Sequence, residues 1–208
     1  MMKKRLEEMS LEELWRLFPV ILKEYDPAYP VWYEEERSRI LKIVGKENIF
    51  RISHIGSTAV AGLLSKPTVD ILLELTAAAS VALASERLKT EWILMSENRD
   101  PLKLAFNKGY TEDGFAERVF HLHMRRAGDW DELYFRDSLR GHAETAEEYG
   151  RLKQTLRQKY CYNRDAYTAA KAEFVKKYTA EDALPSAVYL YLKIISFFAV
   201  SIIQLPAL

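Results

Sequence analysis

Residues 51–75, RISHIGSTAVAGLLSKPTVDILLEL, constrain the fold more than any other stretch of the chain. Two apolar, strand-like runs flank a Gly56-Ser57-Thr58 turn, and the second run carries Asp70. Glycine lets a backbone take positive φ or approach a ligand closely. Serine and threonine are favourable helix N-caps, and the free N–H groups at a helix start bind phosphate. The stretch therefore predicts a strand, a tight turn, a helix start and a second strand around an anion site.

Asp70 is the first candidate functional residue, because a carboxylate inside an apolar strand needs a partner. It could hold a divalent cation beside a bound phosphate, or it could cap a helix or pair with an arginine. Gly56-Ser57 alone is typical of a plain strand-to-helix turn. Together with Lys66 and Asp70, this pair favours phosphate binding. Glu74 shares the face of Asp70 by strand alternation, and the solvent edge of the sheet is its alternative position.

Residues 117–125, ERVFHLHMR, form the second informative run. Strand alternation places His121, His123 and Arg125 on one face. The apolar residues on the opposite face are Phe120, Leu122 and Met124. A His-x-His pair on a strand can bind a metal, act as a general base or be purely structural. Because Mg²⁺ prefers oxygen ligands, two imidazoles weaken the case for a conventional magnesium site.

The motifs in these two runs resemble those of the GrpB family of the nucleotidyltransferase superfamily, which includes polymerase-beta-like enzymes. The superfamily pattern is an apolar residue, Gly and then Gly or Ser, followed after an intervening segment by Asp, an apolar residue and a second acid. Here IGS at 55–57 and DI at 70–71 match the pattern, and Leu72 stands where the second acid belongs. GrpB-like sequences commonly lack that acid. The resemblance covers about residues 9–179 and rests on HIGSTAV, KPTVDIL, HLH, FRD and later Tyr/Lys patterns in combination.

The resemblance implies an α/β (α+β) fold with a nucleotidyltransferase-like mixed sheet flanked by N- and C-terminal helices. It implies a nucleotide or phosphorylated small molecule as ligand, with Mg²⁺ or Mn²⁺ as the expected cofactor. The implied catalytic residues are Asp70, His121 and His123, with Asp70 and His123 as metal ligands. The implied phosphate-binding residues are Gly56, Ser57, Thr58, Lys66, Arg125, Arg136, Lys153 and Lys171. For the two helical lysines, an ordinary position on a helix flank is the alternative.

Two functions follow from the resemblance. The first is nucleotide-dependent nucleotidyl transfer to an unknown acceptor. The second is a catalytically weakened nucleotide- or phosphate-binding module that acts as a sensor or interaction protein. Leu72 favours the module, because two bridging carboxylates normally position a catalytic metal.

Composition limits the class of protein and its compartment. The 208 residues, 49% of them hydrophobic, suffice for one globular domain with a sizeable core. Lys and Arg together balance Asp and Glu at 30 each, so no overall basic charge indicates nucleic-acid binding. The single cysteine, Cys161, excludes an intrachain disulfide framework and a multi-cysteine zinc site. A charged N-terminus without an apolar core is unlike a signal peptide, and we expect a reducing, cytoplasmic location.

Helical spacing of apolar residues predicts most of the remaining elements. A Ser10-x-x-Glu13 capping box precedes a stripe that reaches Tyr25, which predicts one helix kinked at Pro19. A second helix is expected to end at Gly45. The further predicted segments are helices over residues 77–89, 130–139, 144–160 and 165–178, and strands over residues 92–95 and 104–106.

The chain ends in an almost wholly apolar tail, residues 183–208, beyond a predicted domain over residues 1–182. Within the tail, residues 188–205 are near the lower length limit of a membrane span. Three interpretations stay open. The tail could cover an apolar groove of the fold or self-associate with a partner subunit, it could anchor the chain to a membrane, or it could lack a designed function. The second interpretation gives a membrane-associated location as the alternative.

Overall fold

The computed structural model describes residues 4–183, with side chains described as far as Thr179. The helices are α1 Leu11–Leu17, α2 Tyr29–Val44, α3 Val81–Leu88, α4 Asp131–Gly141, α5 Ala143–Tyr160, α6 Arg164–Ala169 and α7 Ala172–Ala183. The strands are β1 Ile49–Ile55, β2 Val69–Leu75, β3 Ile93–Arg99, β4 Leu102–Thr111 and β5 Gly114–Arg126.

The five strands form one mixed sheet in the order β1-β2-β5-β4-β3. Strands β2 and β5 are parallel, and the other neighbouring pairs are antiparallel. The predicted fold class, a mixed sheet flanked by helices from both ends of the chain, is therefore confirmed. The central parallel pair brings two distant segments side by side, and these two segments carry most of the candidate residues.

One face of the sheet packs against α2 and α3 in the main hydrophobic core. Ile71 and Leu73 of β2 and Leu122 of β5 are fully buried there with Ile40 of α2. Each such side chain contributes roughly 1.5–3 kcal/mol when it leaves water. The alternate residues of both strands therefore face the other side, where α4, α5 and α7 form a second cluster. That cluster contains Val60, Leu63, Phe135, Leu139, Tyr149 and Tyr178.

The structure corrects the first predicted helix, because α1 ends at Leu17 and is not continued beyond Pro19. The backbone after Pro19 forms hydrogen bonds with distant segments in place of helical hydrogen bonds. The N–H of Val20 donates to Cys161 O at 2.8 Å, and Lys23 forms a bridge with Ser65. A proline inside a helical pattern removes a donor and clashes with the preceding turn, so ending the helix costs less than kinking it.

Three further segments differ from their predictions. The helix expected at Ser57 is a single 3₁₀ turn, Ser57–Ala59. The helix predicted over residues 165–178 is divided into α6 and α7, and Lys171 lies between them. The helix predicted from residue 77 begins at Val81, where the Ser80 hydroxyl accepts the Leu83 N–H as a cap. Strands β3 and β4 are both longer than predicted.

No helix within residues 4–183 is both long and apolar enough to cross a bilayer. The tail from residue 184 to residue 208, including the candidate span, lies outside the described residues. The predicted domain boundary and the role of the tail stay predictions.

Candidate functional site

Strands β2 and β5 bring the acid and both imidazoles to one face of the sheet. Asp70 is in register with His121, and Leu72 is in register with His123. Side chains in register on neighbouring strands project from the same face. His121 Nδ1 lies 3.0 Å from Asp70 Oδ1, within hydrogen-bond distance. The structure thus joins the two most informative runs of the sequence at one place.

A chain of hydrogen bonds continues from this pair to α6. The Tyr110 hydroxyl lies 2.8 Å from His121 Nε2, and Arg164 Nη2 donates to the Tyr110 oxygen at 2.7 Å. Because the Tyr110 oxygen accepts from Arg164, its own hydrogen is available to His121 Nε2, which leaves the Nδ1 hydrogen for Asp70. In this arrangement His121 Nδ1 carries the hydrogen that faces Asp70. Sequence reasoning missed both Tyr110 and Arg164.

Asp70 is held as an anion. Burial raises the pKa of its carboxyl, but the hydrogen bond with His121 and the nearby positive charges, including Lys66, outweigh burial and lower the pKa to about 2. Gly56 has φ 69°, and a Cβ built on it would overlap Asp70 Oδ2 and lie 3.0 Å from Cγ. Only glycine fits there, so the turn is shaped around the carboxylate.

The two hydroxyls after Gly56 have different environments. Ser57 Oγ accepts a hydrogen bond from Lys153 Nζ at 3.1 Å, and Lys153 also donates to the Leu64 carbonyl. Thr58 is buried, its hydroxyl donates to the Thr68 carbonyl at 3.1 Å, and it contacts His54. The Thr58 hydroxyl, which was predicted to contact phosphate, therefore stabilises the turn. The Ser57 hydroxyl instead pairs with the Lys153 ammonium group.

Three lysines from separate parts of the chain converge near Asp70. Lys153 is buried, and Lys66 and Lys171 are half-buried. Burial and the charge of Arg164 lower the pKa of Lys66 to about 8, and burial and the charges of neighbouring lysines lower the pKa of Lys153 and of Lys171 to about 7. Lys66 and Lys171 lie over the same ring, that of Tyr167, at 5.8 and 4.4 Å. Among the side chains of residues 4–179, no carboxylate oxygen lies within 4.0 Å of any of the three ammonium groups.

The other predicted basic residues are engaged by the fold. Arg125 donates to the carbonyls of Leu104 and Met124 and pairs with Glu132. Arg136 pairs with its neighbour Asp137 and donates to the His54 carbonyl. These contacts position β5 and α4.

A cavity of about 520 Å³ opens beside Asp70, and His123 lines it. Burial lowers the pKa of His123, which keeps its imidazole neutral at pH 7. The rest of the wall combines the apolar side chains of Ile55, Phe135 and Val175 with polar and aromatic ones, which are Lys103, Asp129, Trp130, Asp131 and Glu132. A cavity of this size suits a small molecule. A larger groove, about 830 Å³, runs between α5 and residues 59–64 and contains none of the predicted site residues.

The described residues contain no preformed site for a Mg²⁺ or Mn²⁺ ion. Within the part of the chain that the structure describes, no three His, Cys, Asp or Glu side chains are placed to share a metal. Leu72, at the position of the second acid, is fully buried. Glu74, the next acid on that face, is also fully buried and forms a bidentate pair with Arg51. Within the described residues, Asp70 therefore has no set of ligands arranged around it that would hold a metal on its own.

The fold and this face define an α+β protein in which a Gly-Ser turn, a lone aspartate and a His-x-His strand share one side of a mixed sheet. The family model described as GrpB protein matches residues 19–181, and the chain belongs to this family. It is 32% identical over 162 residues to UPF0157 protein YqkA of Bacillus subtilis, a match that covers 76% of this chain and 45% of YqkA. The chain thus spans about half the length of that relative.

Two further comparisons cover nearly the whole of the related protein. The chain is 31% identical over 161 residues to the glutamate-rich protein GrpB of Alkalihalophilus pseudofirmus, covering 75% of this chain and 91% of that protein. The crystal structure of the conserved protein GrpB from Enterococcus faecalis matches with a TM-score of 0.66 at 31% identity, covering 78% of this chain and 96% of that one. These likenesses support the family and the fold.

Proposed function

We propose that this GrpB-family protein binds a nucleotide or another phosphorylated small molecule where Lys66, Lys153 and Lys171 converge near Asp70. The observation that carries the proposal is the group of three lysines that have no carboxylate partner among the described side chains. Cations held together out of water are costly without an anion. A phosphate group bound between Lys66, Lys153 and Lys171 would supply that anion.

The surroundings of the lysines fit the two parts of such a ligand. Ser57 offers a hydroxyl beside the Lys153 ammonium, a usual pair of partners for a phosphate oxygen. The neighbouring cavity beside Asp70 offers the apolar surface of Ile55, Phe135 and Val175 for a base or another non-phosphate group, and Val175 also lines the pocket that contains Lys171. Nucleotides therefore come before simple sugar phosphates as the first ligands to test.

Calorimetric titration of the full chain with ATP, GTP, CTP, UTP and pyrophosphate tests the proposal. We expect Lys171→Met to weaken binding by at least about tenfold, because it removes a charge-assisted hydrogen bond. Lys159→Met, which removes an exposed lysine of α5, is the matched control and should bind like the wild type. The proposal is wrong if none of these ligands binds or if both substitutions have the same effect.

Nucleotidyl transfer is a second candidate, favoured by the neutral His123 in the same cavity as Asp70. The acceptor oxygen would attack the α-phosphorus and give its proton to His123, a role suited to a neutral imidazole. The bond from the α-phosphorus to the bridging oxygen would break, and pyrophosphate would leave with its charge neutralised by the lysines.

Release of pyrophosphate from labelled ATP separates binding from transfer. Turnover that is lost in His123→Gln while nucleotide affinity is kept would support the transferase. Tight binding with no release in the presence of candidate hydroxyl acceptors would favour a binding module.

A further inference from the structure

Tyr110, His121 and Asp70 are placed like a nucleophile, its base and an acid that orients the base. The Tyr110 hydroxyl lies 2.8 Å from His121 Nε2, and His121 Nδ1 lies 3.0 Å from Asp70 Oδ1. The Asp70 anion holds the Nδ1 hydrogen of the imidazole, so Nε2 is free to accept a proton from the tyrosine. The binding of phosphate by the lysines makes no use of this arrangement.

The surroundings of Tyr110 fix its ring and favour negative charge on its oxygen. The ring packs against Phe18 and Phe115, with centroids 4.9 and 5.3 Å away. Arg164 Nη2 donates to the hydroxyl oxygen at 2.7 Å, and this bond strengthens as the oxygen loses its proton. Burial raises the pKa of the Tyr110 hydroxyl, so the oxygen becomes a strong nucleophile only when a base takes its proton during the attack.

Tyr110 lines a cavity of about 520 Å³ other than the one beside Asp70. This second cavity lies between α1, strands β3 and β4 and α6, and much of its wall is apolar, including Leu11, Leu14, Trp15, Phe18, Ile93 and Leu94. The charged residues of the wall, within the described part of the chain, are Glu7, Arg164 and Asp165. Two carboxylates against one guanidinium disfavour a phosphate, so the wall suits an uncharged molecule with an apolar body.

We propose that this second cavity is an acyl-transfer site for an uncharged ester of an apolar acid, with Tyr110 as nucleophile, His121 as general base and Asp70 as positioning residue. The Tyr110 oxygen attacks the ester carbonyl carbon while its proton passes to His121 Nε2. The bond from the acyl carbon to the alcohol oxygen breaks, and the departing alcohol takes that proton. Water then attacks the acyl-tyrosine and gives a proton to His121. The carboxylic acid leaves, and His121 returns the proton to Tyr110.

Hydrolysis of para-nitrophenyl hexanoate by the full chain tests the proposal. Absorbance follows the nitrophenolate released, and peptide mass spectrometry after acid quenching locates the acyl group. We expect the acyl group on Tyr110, and Tyr110→Phe to lower kcat/KM by about a hundredfold or more. Asp70→Asn should lower kcat by more than about tenfold with KM little changed, because the amide no longer holds the imidazole in its reactive tautomer. Tyr162→Phe, which removes an exposed tyrosine just before α6, is the control and should hydrolyse the ester like the wild type.

The position of the acyl group separates this site from simple acylation of reactive lysines. An acyl group found on lysines alone, or a rate that is unchanged in Tyr110→Phe, overturns the proposal. A wild-type kcat in Asp70→Asn overturns the positioning role of the carboxylate. If a variant does not fold, as judged by thermal unfolding, the position of the acyl group in the wild-type protein decides. Binding of ATP is measured separately by calorimetry, so failure here leaves the proposed function as it stands.

Discussion

Position 56 sets two requirements that only glycine satisfies together. Its φ of 69° lies in the left-handed region, and its missing Cβ makes room for the Asp70 carboxylate. We expect Gly56→Ala to lower the free energy of unfolding by about 2–4 kcal/mol, from backbone strain plus displacement of the carboxylate. Urea unfolding measures the loss, and nucleotide titration should show weakened binding.

Gly62 is the matched control for this substitution. It has φ 76°, but a Cβ there would meet no atom within 4 Å. Gly62→Ala should therefore show the backbone strain alone, about 1 kcal/mol, with ligand binding unchanged. Equal losses in the two variants would mean that contact with Asp70 does not constrain position 56.

His54 predicts a dependence of stability on pH. Burial lowers the pKa of its imidazole to about 4, and the ring stacks on Tyr33 at 4.9 Å and contacts Thr58. Between pH 6.5 and pH 4 the unfolded chain binds a proton that the folded chain does not, so acidification favours unfolding. From pH 7 to pH 5 this group should cost about 2 kcal/mol of stability.

Urea unfolding at the two pH values tests this linkage by comparing variants. His54→Asn should lose less stability on acidification than the wild type, even though its stability at pH 7 is lower. His142→Asn removes an exposed histidine and should keep the wild-type pH dependence. If His54→Asn showed the same pH dependence of stability as the wild type, the acid sensitivity would belong to another group.

At the scale of elements, strand alternation correctly predicted which residues share a face of β5. His121 and His123 lie on the cavity side, while Phe120, Leu122 and Met124 lie in the main core. Alternation acts within one strand, however, and carries no information about which strand lies next to it. The parallel pairing of β2 with β5, which places Asp70 beside His121, had to come from the structure.

Tyr110 shows why part of the site could not be predicted. Strict alternation along β4 would put Tyr110 on the face of Lys108, whose ammonium pairs with Glu36 of α2. The register between β4 and β5 shifts between Lys108 and Tyr110, where Gly109 has φ 89°. Such a bulge reverses the side-chain direction, so Tyr110 reaches His121 on the opposite face. Similarly, no glycine or proline in the sequence near Lys171 indicates that the helix divides there into α6 and α7.

An ion pair between a half-exposed arginine and a buried glutamate joins β1 to β2. Arg51 lies opposite Glu74 in register, and the Glu74 side chain is wholly buried. Arg51→Met would leave that carboxylate without its charged partner and with only the Gly128 N–H as a donor, and we expect a loss of about 3–5 kcal/mol of stability. Arg99→Met, which breaks an exposed pair with Glu97, should cost less than about 1 kcal/mol.

A double variant shows whether the loss comes from the orphaned charge. Arg51→Met combined with Glu74→Leu should recover most of the stability lost in the single variant, because apolar replacements of a buried ion pair are often neutral. Denaturant midpoints measure all three variants. A double variant that is no more stable than Arg51→Met would assign the loss to packing of the arginine side chain.

At the scale of the whole molecule, the two principal hydrophobic clusters of the described residues draw their members from Tyr25 to Tyr178. The main core ends with Met124, and the second cluster uses Phe174, Val175 and Tyr178 of α7. A chain that ends at Ala183 should therefore unfold at the same denaturant midpoint as the full chain and bind the same ligands. A chain that ends at Ala170 loses α7 and Lys171, and each lost buried side chain should cost roughly 1.5–3 kcal/mol. If removal of residues 184–208 alone lowers the midpoint, the tail belongs to the folded domain, and the boundary predicted at residue 182 is wrong.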